Sequence, residues 1–172
     1  MTAMDLAELN KPPTEPEKAE LLSALAPAPE LQLIARRLCF QIDKLTRVAE
    51  DLKQPNGIIG TPDGKRLFVA DIGASKTYSY DIKEDGTLAN KKLFCEMGSD
   101  GMTLDSEGNV YLTGKGVTVF DKTGSKIEHI EVPEPWTANV CIGGKDRQTL
   151  FITASKCLYS IRLRVKGANQ GK

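Results

Sequence analysis

Residues 39–166 of this 172-residue chain are predicted to form an all-β fold with antiparallel strands. Short runs rich in β-branched and aromatic residues follow one another, and such side chains favour pleated strands. Turn signals separate the runs, as at Pro62-Asp63-Gly64 and Glu84-Asp85-Gly86. No convincing helix interrupts them, which indicates an all-β domain.

Glycine and proline divide the chain into two segments of different character. All 15 glycines lie at or after Gly57, and five of the nine prolines lie before residue 30. We therefore assign residues 1–38 to a helical or mobile leader of unknown origin, residues 39–166 to the β domain and residues 167–172 to a tail.

The leader carries signals of a short α-helix. Thr14 and Glu17 have the spacing of a capping box, and a leucine stripe follows at residues 21–25. Pro27 ends this helix because proline lacks an amide donor, and Leu31–Leu38 is a second helical candidate. Two interpretations stay open, namely an arm that packs on the domain or is mobile, and an amphipathic arm that binds a partner.

The expected strands begin with a hairpin-like pair and continue to the end of the domain. The pair comprises Cys39–Asp43 and Leu45–Ala49. The later strands are Gly57–Gly60, Arg66–Asp71, Lys76–Ile82, Lys91–Glu96, Gly101–Leu104, Asn109–Thr113, Val117–Asp121, Lys126–Val132, Asn139–Ile142, Leu150–Ala154 and Cys157–Leu163.

These strands recur as a unit. Similar segments begin at Asn56, Asp100 and Asn139, at offsets of 44 and 39 residues. Four strands recurring every ~40–45 residues are typical of a β-propeller blade, and blades surround a central channel. The sequence therefore predicts a partial β-propeller of about three four-stranded blades behind the helical leader.

The polar residue that begins each repeat is a candidate metal ligand. Asn56, Asp100 and Asn139 each head the innermost strand of a predicted blade, so their side chains should converge near the channel mouth. A carboxylate with amide oxygens suits a hard cation such as Ca²⁺, Mg²⁺ or Mn²⁺. The alternative is that Asn and Asp simply begin a strand after a turn.

Trp136, His129 and the four cysteines were also considered as functional residues. Trp136 follows Pro133-Glu134-Pro135, where its ring either stacks on a sugar or packs in the loop. The chain has no Gly-x-Ser-x-Gly elbow to pair with His129, its one histidine, so a serine hydrolase triad is not indicated. The four cysteines form no CxxC pair and are expected to be free thiols.

The charge balance and hydropathy exclude two classes of partner. Lys and Arg number 23, as do Asp and Glu, which argues against nucleic-acid binding through bulk phosphate neutralisation. No run approaches the ~20 apolar residues that a membrane-spanning helix needs. No secretory signal is visible, so we expect no membrane association and a cytoplasmic location.

Five ordered motifs resemble the gluconolactonase, senescence marker protein and luciferin-regenerating enzyme family, particularly its bacterial sugar lactonases. They lie at residues 54–58, 62–71, 99–111, 137–144 and 149–154. The resemblance covers about residues 39–166. It implies a six-bladed propeller with one catalytic divalent cation in its channel.

The resemblance also implies roles for individual residues. Asn56, in the Pro-Asn-Gly motif, corresponds to a metal ligand. Asp100, in the Asp-Gly-Met motif, corresponds to a metal ligand and candidate general base. Asn139 and Trp136 are weaker candidates for contact with substrate at the channel mouth.

This chain resembles only the later half of the family. The family's ligating glutamate and its sugar-contacting residues lie in early blades, which residues 1–38 do not resemble. We expect metal-dependent hydrolysis of a sugar lactone, impaired by the missing blades, with Ca²⁺, Zn²⁺, Mn²⁺ or Mg²⁺ as cofactor. The alternative is a non-catalytic fragment that acts as a binding or structural module.

The missing early blades also lead to an expectation about self-association. Three blades form an open arc whose exposed faces favour a homodimer or other self-association. The leader could instead cover one open face and keep the chain monomeric.

Overall fold

The computed structural model describes residues 45–168, together with Thr14 and Pro16. The chain divides into two compact units, Met1–Arg47 and Val48–Lys172. The second unit contains three antiparallel sheets and a single turn of 3-10 helix at Ile72–Ala74. The all-β prediction is therefore confirmed for residues 45–168. Apart from Thr14 and Pro16, the predicted leader helices lie outside the described residues, as does the strand Cys39–Asp43.

The strands follow one another in space as they do in sequence. The first sheet has the order β1 (Pro55–Gly60), β2 (Arg66–Asp71), β3 (Lys76–Ile82) and β4 (Leu88–Cys95). The second has the order β5 (Met102–Leu104), β6 (Val110–Gly114), β7 (Gly116–Phe120) and β8 (Lys126–Ile130). The third has the order β9 (Thr137–Gly143), β10 (Thr149–Ala154) and β11 (Cys157–Arg162).

Apart from shifts of up to three residues at strand ends, the structure differs from the predicted strands in two places. Residues 45–50 form no strand, so the strand predicted at Leu45–Ala49 is wrong, and Leu45 is 93% exposed. The third sheet has three strands among the described residues instead of four.

Within residues 45–168 no helical segment has the length or hydrophobicity needed to span a bilayer.

Strands β5, β6 and β7 of the second sheet are buried on both faces because this sheet lies between the other two, whereas its outer strand β8 is largely exposed. Every residue of β6 and β7 is buried. One hydrophobic core joins the first and second sheets, and another joins the second and third. The first core contains Phe68, Ala70, Phe94, Cys95, Met102, Leu104, Val110, Leu112 and Phe120. The second contains Tyr111, Val117, Val119, Val140, Leu150 and Ile152.

The third sheet is buried on one face only. Leu150, Ile152 and Ala154 of β10 are buried, and the residues between them are exposed, as period-two alternation requires. Phe151 pairs with Cys141 on β9, so both lie on the exposed face. The stack of sheets therefore ends in an open face at β9–β11.

Residues 163–168 tie the third sheet back to the second. Gly167 forms a backbone bridge with Asp105, and the amide of Ala168 donates to the carbonyl of Leu104 at 3.0 Å. The buried Asp105 carboxylate accepts from the Asn109 side chain at 2.8 Å and from the Tyr111 hydroxyl at 3.1 Å. These bonds hold the end of β5, whose other end leads to Asp100.

A close contact between the first two sheets depends on Gly124. Phe94 packs edge-on against Phe68 and Phe120, with ring centroids 4.8 and 6.3 Å away. Gly124 has φ of 90°, and a Cβ there would lie only 1.9 Å from the carbonyl oxygen of Phe94. Glycine is therefore required both by the turn and by the packing of the sheets.

Gly124→Ala should destabilise the fold more than Gly86→Ala. Gly86 closes a four-residue turn in the same way, with its amide bonded to the carbonyl of Lys83 and φ of 78°, but nothing lies within 4 Å of its added Cβ. Each alanine should cost about 1–2 kcal/mol for its left-handed backbone. Gly124→Ala should lose a further ~1–3 kcal/mol because the sheets must move apart. Urea denaturation measures both, and equal losses would contradict the described packing.

Candidate functional site

The heads of two inner strands meet through their side chains. Asn56 lies in β1 and Asp100 immediately precedes the glycine before β5. The amide Nδ2 of Asn56 donates to Oδ1 of Asp100 at 2.8 Å, although the residues are 44 positions apart. The structure thus brings together the two residues that the sequence singled out as ligands.

Glycines allow these strands to approach. The amide of Gly57 donates to the carbonyl of Ser99 at 3.0 Å, and a Cβ at Gly57 would lie 2.9 Å from that oxygen. A Cβ at Gly101 would lie 2.3 Å from Oδ1 of Asn139. The glycine after Asn56 and the glycine after Asp100 therefore each admit a neighbouring strand or loop.

A buried carboxylate sets the start of β1. Asp71 is 1% exposed and accepts from the amides of Lys53 at 2.7 Å and Gln54 at 2.8 Å. Burial favours the neutral acid, but the amides of Lys53, Gln54 and Ala74 outweigh it and lower the pKa of Asp71. The stability that Asp71 contributes is therefore present at neutral pH and is lost as the pH falls through this lowered pKa.

Trp136 is the second donor to Asp100. Its indole Nε1 donates to Oδ2 at 3.0 Å, so each carboxylate oxygen accepts one N–H bond. Trp136 is 45% exposed, which leaves part of its ring accessible beside Asp100. The sequence singled out Trp136 for substrate contact but contained no signal for this hydrogen bond.

Asn139 lies near the pair but bonds to its own sheet. Its Oδ1 accepts from the backbone amide of Val140 at 2.8 Å, and its own backbone amide donates to the hydroxyl of Thr153 at 2.9 Å. Its side chain packs on Gly101. Asn139 therefore shapes the site through Gly101, and its side-chain oxygen is directed to Val140.

Two buried hydroxyls fix the backbone on both sides of Asp100. Ser99 is 1% exposed and Thr113 is fully buried. The Ser99 hydroxyl donates to the carbonyl of Gly101 at 2.6 Å and accepts from the amide of Thr113 at 2.7 Å. The amide of Gly101 donates to Oγ1 of Thr113 at 2.9 Å. The sequence analysis did not identify Ser99 or Thr113 as residues that support the site. The signal that could have indicated them is a polar residue within or next to an otherwise apolar strand.

The loop before β9 is anchored at both ends. The fully buried Thr137 donates to the carbonyl of Gly116 at 2.7 Å and accepts from the amide of Gly114 at 3.0 Å. Glu134 accepts from the hydroxyl of Tyr159 at 3.1 Å. Burial and this bond raise the pKa of Tyr159 to about 12, so Tyr159 remains a hydrogen-bond donor at neutral pH. Trp136 is held between these anchors.

The donor set fits a hard divalent cation in kind. Asp100 offers a carboxylate and Asn56 an amide oxygen, both of which such cations prefer. Rotation of the Asn56 amide about its Cβ–Cγ bond would exchange Nδ2 for Oδ1 beside Asp100. Among residues 45–168, no three Asp, Glu, His or Cys side chains cluster closely enough to share a metal ion. Among the described residues, Asn56 and Asp100 are therefore the two candidate ligands.

Comparison with known proteins connects this geometry to a family. Residues 28–156 match the family model described as the SMP-30/Gluconolactonase/LRE-like region. A 6-deoxy-6-sulfogluconolactonase from Pseudomonas putida is 28% identical over 144 residues, which cover 70% of this chain and 50% of that protein. The chain spans about half the length of curated relatives that it matches, 51% of one and 50% of another.

Solved structures agree with the sequence comparison. A gluconolactonase from Xanthomonas campestris has 32% identity and a TM-score of 0.62, over 69% of this chain and 40% of that one. The calcium-binding protein regucalcin from Agrobacterium tumefaciens shares the fold, with 23% identity and a TM-score of 0.65 over 73% of this chain and 51% of that one. The resemblance of the sequence motifs is thus confirmed, and this chain belongs to the SMP-30/gluconolactonase/LRE-like family.

Proposed function

We propose that the three sheets are blades of a partial propeller and that this chain provides a divalent-cation site for the hydrolysis of a sugar lactone. The 2.8 Å contact between Asn56 and Asp100 carries the proposal, because it joins two inner strands at the residues that correspond to family ligands. The names of the Pseudomonas putida and Xanthomonas campestris relatives support the substrate class.

The residues of the site divide the chemical tasks among them. A bound Ca²⁺, Zn²⁺, Mn²⁺ or Mg²⁺ would polarise the lactone carbonyl and lower the pKa of a water molecule. Asp100 would hold the cation and accept a proton from the attacking water, and Asn56 would supply an amide oxygen. Addition of water would form a new C–O bond at the carbonyl carbon, and collapse of the adduct would break the ring C–O bond. The leaving ring oxygen would take the proton from Asp100, so that the product is the hydroxy acid and Asp100 is again a carboxylate.

The surface beside Asp100 suits a sugar. The half-exposed ring of Trp136 offers an apolar face, and the exposed Asn139 lies next to Gly101. Aromatic faces and amide groups are common in small-molecule sites that fix orientation. We propose that Trp136 and Asn139 border the lactone.

Calcium should stabilise the wild-type chain in a manner that depends on Asp100. A ligand that binds only the folded state raises the melting temperature by mass action. Asp100→Asn should abolish this rise because it removes the charged ligand. Asp85→Asn is the matched control, since Asp85 is an exposed turn residue that bonds to Thr87. If wild type melts at the same temperature with and without Ca²⁺, Zn²⁺, Mn²⁺ and Mg²⁺, the metal site is wrong.

Lactone turnover by this chain alone should be very low or nil. Two protein ligands bind a cation weakly, and positioning of the reactants contributes much of catalysis. A pH-stat assay on gluconolactone with added Mn²⁺ measures turnover, with Asp100→Ala as the baseline for spontaneous hydrolysis. Robust turnover by a demonstrated monomer would contradict the expectation of impaired activity, whereas turnover at the baseline together with cation binding would favour the non-catalytic binding module.

We also propose that the open face of the third sheet associates with a second copy of the chain. This face exposes Cys141, Phe151 and Leu158, and Leu158 is 68% exposed. In the first and second sheets, the face that corresponds to this one is covered by the next sheet along the chain. A second copy would also bring a second Asn56–Asp100 pair. That pair could supply further oxygen ligands to a site that has two protein ligands in a single chain.

Leu158→Lys should shift the chain from a self-associated form toward monomer. Desolvating a lysine at this face is unfavourable, so the contact should weaken. Ile127→Lys is the control, because Ile127 is 52% exposed but lies on β8 rather than on this face. Multi-angle light scattering at micromolar concentration measures the mass. A strictly monomeric wild type would contradict the proposed association.

A further inference from the structure

The two oxygens of the Asp100 carboxylate have different partners. Oδ1 faces the Asn56 side chain at 2.8 Å, and Oδ2 accepts from the Trp136 indole at 3.0 Å. An indole N–H is a donor only, so it cannot ligate a cation, whereas the Asn56 amide can present an oxygen. Oδ1 therefore faces a potential metal ligand, the Asn56 side chain, whereas Oδ2 faces a group that cannot bind a metal ion.

The fold directs the indole toward Asp100 independently of any bound group. Thr137, the next residue, is fully buried and hydrogen-bonded to Gly114 and Gly116. Two residues before Trp136, Glu134 is bonded to Tyr159 of the third sheet. A side chain between two such anchors loses little further entropy when it makes its hydrogen bond.

We propose that Trp136 is a positioning residue for the cation, a proposal that rests on the proposed function. Its N–H holds Oδ2 and keeps Oδ1 beside Asn56 as the oxygen that binds the metal ion. Hydrogen bonds that orient a ligating carboxylate typically change metal affinity by about 10–100-fold. Trp136 therefore has a role toward the cation in addition to bordering the lactone.

The hydrogen bond can be observed without any metal. Trp136 is the single tryptophan of the chain, so a ¹H–¹⁵N spectrum contains one indole resonance. Asp100→Ala should move this resonance upfield because the charged acceptor is lost. An indole resonance at the same position in wild type and Asp100→Ala would overturn the proposal. In wild type, Ca²⁺ should shift the resonance in a saturable manner, and a resonance unmoved at saturating Ca²⁺ would overturn it as well.

Calorimetry with Ca²⁺ alone then measures the effect on binding. Trp136→Phe keeps an aromatic ring without the N–H and should bind Ca²⁺ about 10–100-fold more weakly than wild type. Tyr78→Phe is the matched control, because it removes the polar group from an aromatic ring on β3, which β2 separates from β1, and the partner of that ring is the Lys91 ammonium at 4.1 Å. The control should bind as wild type does.

A second replacement separates the hydrogen bond from packing. Incorporation of benzothienylalanine at the single tryptophan position retains the bicyclic shape and replaces N–H by sulfur. It should weaken Ca²⁺ binding as Trp136→Phe does, with an unchanged melting temperature in the absence of Ca²⁺. Wild-type affinity in either replacement would overturn the role of Trp136 and leave the proposed function standing. Absence of Ca²⁺ binding to wild type would instead overturn the proposed metal site itself.

Discussion

The site depends on one carboxylate that links strands far apart in sequence. Asp100 lies just before β5 of the second sheet. Its carboxylate accepts hydrogen bonds from Asn56 on the first sheet and from Trp136 in the loop before the third. A charged acceptor with two N–H donors forms bonds stronger than those between neutral groups. The close approach of the inner strands at Gly57 and Gly101 makes this arrangement possible.

Burial of the second sheet on both faces provides the rigid support for that carboxylate. Its strands pack against the first sheet through Phe94 and Phe120 and against the third through Val119 and Leu150. Such packing permits little movement of the backbone near Asp100. Among residues 45–168, no further sheet covers the outer face of the third sheet, which connects the fold to the proposed self-association.

Much of the fold could be predicted from the sequence because the repeat is local and regular. The repeated Asn and Asp residues indicated that Asn56 and Asp100 would meet, since equivalent strands occupy equivalent places in neighbouring sheets. The orientation of Asn139 and the Trp136 bond were not predictable, because they depend on side-chain rotation and loop anchoring. The strand at Leu45–Ala49 was predicted from a β-branched pattern, but residues 45–50 form no strand and are mostly exposed.

The central claim is that Asn56 and Asp100 together bind a divalent cation. Anomalous diffraction at the manganese edge from crystals soaked in Mn²⁺ tests it most directly. The account predicts one strong peak between Oδ1 of Asp100 and the Asn56 side chain, within roughly 2.0–2.6 Å of its oxygen ligands. A strong peak elsewhere, with none at Asp100, would contradict it.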